Sequence, residues 1–174
     1  MDLNGEGFNI SFEDAKKLFY KYTDLFSVGV NWIRENGRAA ARDGYLVNMN
    51  GRRRYWFKPD PNDTEKYPNG RYDENYKAAI GAIEREGGNF VIQSVNADMT
   101  KVAMTNIRRY KKKHNVRTTI VNAVYDEVVT NTHKDDSEAF VPEKRKIMIA
   151  AGERWIKSIP VLVDGVTLPY WTKD

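Results

Sequence analysis

The chain has no cysteine, and that single absence removes disulfide frameworks, thiolate zinc sites and cysteine nucleophiles together. It has only two histidines, His114 and His133, too few for a histidine-rich metal centre. No apolar run approaches the roughly 18 residues of a membrane span; Ile147–Ala151 is typical of what is present. The first residues, Met1-Asp2-Leu3-Asn4-Gly5-Glu6-Gly7, carry neither the basic nor the apolar region of a signal peptide. Together these absences predict a soluble protein of the cytoplasm, or of an equivalent reducing compartment, with no membrane partner. What remains is 174 residues, which at about 150 per domain is one domain with room for an appendage. An apolar fraction of 41% with 12% aromatics is enough for a packed core, which excludes a disordered chain.

The 28 basic and 24 acidic residues leave a net charge of +4, and how they are distributed says more than the total. Lys101–Arg117 holds seven basic residues (Lys101, Arg108, Arg109, Lys111, Lys112, Lys113, Arg117) and no acidic one. Arg34–Arg54 holds six arginines against Glu35 and Asp43. A solvated helix face usually intersperses the two signs; positive charge gathered in blocks is what phosphate contacts require.

Residues 1–10 read as an irregular, glycine-rich lead-in. Ser11 is a good N-cap, followed by Glu13 and Asp14 where acids meet the positive end of a helix. Phe12, Ala15, Leu18, Phe19 and Tyr22 then recur at helical spacing. A second helix is predicted from about Leu25 to Arg42, with Arg34, Arg38 and Arg42 on one face, ended by Asp43-Gly44. Asn50-Gly51 between Tyr45–Met49 and Arg52–Phe57 is a hairpin signal. Lys58–Tyr72, with three prolines, is a loop. Asp73 or Asn75 is expected to cap a long helix running to about His114. Gly87-Gly88 should bend or divide it, since each glycine costs a helix about 1 kcal/mol relative to alanine. Thr118–Val124 and Val128–Thr132 are β-rich runs, and Tyr125-Asp126-Glu127 between them makes a second hairpin. Asp136 or Ser137 should start a last helix through Trp155, with a break near Gly152, and Ile159–Val163 reads as a closing strand. The predicted class is α+β, helices packed on a small antiparallel sheet.

Three groups of residues could carry chemistry. Asp126 and Glu127 are paired carboxylates at a hairpin tip, the oxygen donors that Mg²⁺ takes alongside phosphates and water. Adjacent strand side chains point to opposite faces, so both can ligate one ion only if the turn redirects them; the pattern also suits an ordinary polar turn. Arg85, Asn89 and Gln93 recur every four residues on one helix face. Such amides can donate to purine N3 and pyrimidine O2, the acceptors common to all base pairs in the minor groove, although an exposed polar stripe has the same spacing. Gly51-Arg52-Arg53-Arg54 is either a phosphate clamp or a solvated basic turn.

The order of these elements resembles the C-terminal part of a family A DNA polymerase, the DNA polymerase I type. The motifs that carry the resemblance are Gly44-Tyr45, Gly51-Arg52-Arg53-Arg54, Glu84-Arg85, Asn89, Gln93, Ala97-Asp98, Lys101, Ala103-Met104, Val124-Tyr125-Asp126-Glu127, Ile159–Val163 and Trp171. They run over nearly the whole chain, from about Ser11 to Trp171. The resemblance implies template-directed nucleotidyl transfer, with Asp126 as the palm carboxylate on the Mg²⁺ ions and Glu127 as its acidic neighbour. It implies that Arg85, Asn89 and Gln93 contact the primer–template in the minor groove, and that Arg52 and Arg53 contact the DNA backbone. Residues 1–43 would then belong to the fingers, and 44–174 to a palm portion with the DNA-contacting helix and the catalytic hairpin. The partners implied are primer–template DNA and a deoxynucleoside triphosphate.

The departures from the family pattern are specific. Tyr125 stands where a histidine is usual, and Ser94 and Asn96 stand where glycine and alanine are usual. The family's other metal-binding aspartate, the helix that grips the nucleotide, and the thumb lie upstream of the segment spanned by these motifs. The expectation is therefore a fragment, or one subunit of a split polymerase completed by a second polypeptide and inactive alone. Met1 with its lead-in favours a separate reading frame, with a phage or phage-like replicon as its source and the host cytoplasm as its location. The rival expectation is a non-catalytic DNA-binding module that keeps the basic blocks and has lost the chemistry.

Overall fold

A computed structural model describes residues 10–170, so the glycine-rich lead-in and Trp171 lie outside the described residues. The chain divides into two compact units between Val91 and Ile92. It is α+β, with its antiparallel content in two separate hairpins rather than in one small sheet.

In the first unit, helix α1 (Phe12–Leu25) starts as expected, with the Ser11 hydroxyl accepting from the Asp14 backbone N–H at 3.1 Å. Helix α2 (Ser27–Asp43) ends on Gly44, whose φ of +76° is the left-handed cap that glycine reaches without strain. Strands β1 (Tyr45–Val47) and β2 (Arg53–Tyr55) pair in the register Tyr45–Tyr55, Leu46–Arg54, Val47–Arg53. The turn between them is organised by Asn48. Its buried side-chain oxygen accepts from the N–H groups of Asn50 (2.9 Å) and Arg52 (3.0 Å), while its own N–H donates to the Arg52 carbonyl.

Helix α3 (Glu74–His114) is capped by Asp73, whose carboxylate accepts from the Asn75 N–H at 2.9 Å, and it continues from the first unit into the second. It runs unbroken through Gly87-Gly88, contrary to the predicted bend. The reason is packing. A Cβ on Gly87 would lie 2.4 Å from that of Ala40, and one on Gly88 would lie 2.8 Å from Ile33 Cγ2. A Cβ on Gly37 would meet the Glu84 carbonyl oxygen at 2.4 Å. The three glycines let α2 and α3 touch almost backbone to backbone, and that close approach outweighs their poor helix propensity. Ala40, Ala41 and Ile83 are buried there, with Leu46, Trp56 and Ile80 packed around them.

In the second unit, β3 (Thr118–Val124) pairs with β4 (Glu127–Thr132), with a bulge between Ile120 and Asn122. Ile107, Val128 and Phe140 form its core, joined by Met104, Tyr110, Val116, Ile120, Ile147 and Met148. The last helix, α4 (Lys134–Glu153), begins earlier than predicted. His133, not Asp136 or Ser137, is its cap, with Nδ1 accepting from the Asp135 N–H at 3.4 Å. Asp136 is engaged elsewhere: it receives the Arg117 backbone N–H, Nε and Nη2 at 2.7, 3.0 and 2.7 Å, while Asp135 takes Nη2 at 3.3 Å. These donors hold the Asp136 carboxyl down at about 2.

Ile159–Val163 is not a strand. Pro160 has no N–H to give a ladder, and the segment is held through side chains instead. A Cβ on Gly152 would lie 2.8 Å from Val161, and Arg145 Nε donates to the Val163 carbonyl at 2.9 Å.

Candidate active site and nucleic-acid faces

The β3–β4 hairpin closes in a two-residue turn, Tyr125-Asp126. Glu127 is therefore not part of the turn, as the sequence suggested, but the first residue of β4 and the register partner of Val124. Asp126 is exposed at the tip, and among the described residues no hydrogen bond or ion pair engages it. Glu127 faces the charge of Lys144, a half-buried residue of α4. Burial pushes the Lys144 ammonium down, and Glu127 partly opposes that.

Tyr125 has a φ of +54° and is itself exposed. Positive φ at the first central position alone is the pattern of a type II′ turn, where glycine is the usual occupant. The turn is anchored from both sides. On the α3 side, the buried Thr100 Oγ1 lies 3.2 Å from the Tyr125 carbonyl oxygen. On the α4 side, Lys144 Nζ donates to the Val128 carbonyl at 2.6 Å and to Thr130 Oγ1 at 3.2 Å. Asp126, Glu127, Thr100 and Lys144 share the lining of one cleft of about 1490 Å³, joined by Asn96 and Met99. The sequence offered no local sign of Thr100 or Lys144, because each meets the hairpin from a different helix.

Magnesium prefers an octahedron of oxygens with one or two protein carboxylates, and a two-ion site needs carboxylates that bridge. Asp126 offers one carboxylate at the turn, and Glu127, the first residue of β4, lines the same cleft. Among the described residues no group of three or more acidic, histidine or cysteine side chains could hold a metal ion. The described residues thus fit part of a two-ion site and not the whole of it.

In the first unit, Arg52 and Arg53 are both exposed on or beside β2. Arg54, also exposed, pairs with Glu86 and lies 5.0 Å from the centre of the Trp56 ring, whose Nε1 donates to the same carboxylate at 3.0 Å. The Arg53 side chain is itself hydrogen-bonded to Tyr55. On α3, Arg85 and Asn89 are exposed while Ile83, Gly87, Gly88 and Phe90 are buried, so the polar stripe turns away from the glycine seam. Gln93, one turn further and in the second unit, is exposed too. The arginines of α2, Arg34, Arg38 and Arg42, are exposed, with Arg42 bound to Asp43 at 2.8 Å. Arg108, Arg109, Lys112 and Lys113 are exposed near the end of α3, where cations also suit the negative helix terminus. No described helix is long and apolar enough to cross a membrane.

Comparison with known proteins bears on the chain as a whole. DNA polymerase I of Aquifex aeolicus is 34% identical over 86 residues, covering 49% of this chain and 15% of that protein. The thermostable DNA polymerase I of Thermus thermophilus is 26% identical over 162 residues, covering 93% of this chain and 17% of that protein. The chain thus spans less than a fifth of the length of these relatives. Among solved structures, the POL domain of Pol1 from M. smegmatis, in complex with DNA primer-template and dNTP, superimposes with a TM-score of 0.63 at 29% identity. That match covers 82% of this chain and 23% of the other. The sequence pattern of DNA polymerase family A itself matches residues 4–173, and the chain belongs to that family.

Proposed function

We propose that this chain is the C-terminal fingers–palm portion of a DNA-directed DNA polymerase, with residues 1–43 in the fingers and 44–174 in the palm. The reaction is template-directed nucleotidyl transfer, in which the primer 3′-oxygen attacks the α-phosphate of a deoxynucleoside triphosphate and pyrophosphate leaves. The observation that carries the reading is Asp126, an exposed carboxylate on an anchored hairpin turn, in a chain whose family membership covers almost its full length. Asp126 is this chain's ligand for magnesium, and Glu127 is its acidic neighbour with the smaller part. Arg85, Asn89 and Gln93 seat the primer–template through the minor groove, and Arg52 and Arg53 hold phosphates. Two Mg²⁺ ions need more carboxylates than the described residues bring together. The remainder, with the nucleotide-gripping helix, is supplied from outside residues 1–174, by the same polypeptide or by a second one. The apolar surface of α1 supports this: none of its residues is buried, and Phe12, Leu18, Phe19, Tyr22 and Leu25 are all exposed.

The test is primer extension. The 174-residue chain alone should incorporate no nucleotide, and a fragment carrying the upstream palm aspartate and the nucleotide-gripping helix should restore incorporation. In the restored assembly, Asp126→Ala should abolish activity while Glu127→Ala leaves a measurable remainder. Robust extension by the chain alone would refute the need for a partner, and equal mild losses would mean that the metal is misplaced. The rival reading, a DNA-binding module without chemistry, draws on the same incomplete carboxylate set. It predicts primer–template binding with no incorporation in any assembly.

A further inference from the structure

We infer that Thr100 and Lys144 are positioning residues that hold the Asp126 turn in its working geometry, one from α3 and one from α4. The inference rests on the reading of Asp126 as the functional carboxylate. It starts from Tyr125, a bulky residue held at a φ of +54°. Such a backbone is disfavoured for any side chain larger than a hydrogen, and it persists only where its surroundings over-determine it. The surroundings here are two side chains, one from each of two helices.

Thr100 is buried in α3, and its hydroxyl has one proton for two acceptors: its own helix's Asn96 carbonyl at 3.1 Å and the Tyr125 carbonyl at 3.2 Å. The bond within the helix is what any threonine can make. The second is a tertiary bond to the peptide that joins Tyr125 to Asp126. Lys144 then grips the other side of the turn, its ammonium donating to the Val128 carbonyl and to Thr130 Oγ1 on β4. A half-buried ammonium is a costly way to pack α4 on a strand, and an apolar side chain would do that more cheaply. The ammonium adds a fixed donor two residues after Asp126 and a positive charge facing Glu127. Glu127 is thereby drawn toward Lys144, and Asp126 remains the carboxylate presented at the tip.

The experiment is hydrogen–deuterium exchange on the full chain, comparing the wild type with Thr100→Val, Thr100→Ser and Lys144→Met. Thr100→Val keeps the shape and removes the proton. Amides in 124–128 should exchange about fivefold faster, the factor for one neutral hydrogen bond. Thr100→Ser should restore the wild-type rate. Lys144→Met should accelerate the same segment. If either Thr100→Val or Lys144→Met loses its melting transition, unchanged exchange in the other overturns the inference. Unchanged turn exchange in both Thr100→Val and Lys144→Met overturns the inference and leaves the Asp126 reading standing. In an assembly that extends primers, Thr100→Val should lower kcat with the nucleotide KM preserved. Full activity of Asp126→Ala there would remove the reading of Asp126 as catalytic, whereas the exchange result would still stand on its own.

Discussion

Replacing glycine by alanine should move stability in opposite directions at different points along these helices. Alanine is favoured over glycine inside a helix by about 0.5–1 kcal/mol. At Gly29 a new Cβ meets nothing within 4 Å, and at Gly81 it meets only the tip of the Arg85 side chain at 3.4 Å. Gly29→Ala and Gly81→Ala should therefore collect the propensity gain and stabilise the chain. At Gly37 the same methyl would sit 2.4 Å from the Glu84 carbonyl oxygen, which is backbone and cannot turn aside. At Gly87 it would sit 2.4 Å from the Ala40 Cβ. Ordinary carbon contacts lie at about 3.5–4 Å, so α2 and α3 would have to separate by about 1 Å along a seam that also buries Ala41 and Ile83. Overpacking of this kind costs about 1–3 kcal/mol, more than the propensity gain, so Gly37→Ala and Gly87→Ala should destabilise. Urea denaturation followed by tryptophan fluorescence measures this through Trp56, which packs on that seam. With a slope of about 2 kcal/mol per molar urea, the controls should raise the midpoint by up to about 0.5 M, and the seam variants should lower it by a similar amount or more. A rise for Gly37→Ala and Gly87→Ala matching that of Gly81→Ala would refute the close-packing account of the unbroken α3.

Further outcomes follow from charge and exposed apolar surface. Asp136 has its carboxyl lowered from 3.8 to about 2 by Arg117, so its contribution to stability is complete above pH 4 and is lost as pH falls through about 2; acid titration of the melting temperature should show that loss in the wild type and a smaller one in Arg117→Ala. In the completed assembly, removing charge at Arg52, Arg53 or the Arg108–Lys113 cluster should weaken binding to all DNA sequences and flatten the salt slope by about 0.9 for each phosphate no longer neutralised. Asn89→Ala and Gln93→Ala should leave that slope unchanged and reduce the preference for matched over mismatched primer ends; a changed slope with intact discrimination would move both residues out of the minor groove. The exposed apolar residues of α1 should make the chain self-associate in sedimentation velocity over a concentration series, and a strictly monomeric chain would count against a missing neighbour.

What could be read from the sequence was what its close neighbours decide. Ser11 caps the helix that begins at the next residue, and Asn50-Gly51 lies in the hairpin connection Asn48–Arg52 that Asn48 organises; in both cases the partner atoms lie within a few residues. Gly44 ended α2 for the same reason. Gly87-Gly88 were misread because propensity is a local quantity, while their role is set by Ile33 and Ala40, about fifty residues earlier. His133 displaced Asp136 as the cap because Arg117, on the far side of a hairpin, had taken the aspartate. Asp126 taken alone was indistinguishable from a polar turn; motif order across the chain singled it out. Its anchors were invisible, since Thr100 and Lys144 reach the hairpin across 25 and 16 residues of chain.

Helix α1 is fourteen residues long, well capped at its start, and buries none of them. At that length a helix in water is marginal by propensity alone, because the cost of its first turn is barely recovered. A partner that covers its apolar side would therefore add to its persistence. Association with a covering partner would then do two things in one event: remove apolar surface from water and favour the helical state of the segment. The heat capacity of that association should be more negative than rigid docking of the same area predicts, and part of the gross affinity would be consumed in ordering α1. Mutations that favour helix on its polar side, far from any interface, should then tighten the complex.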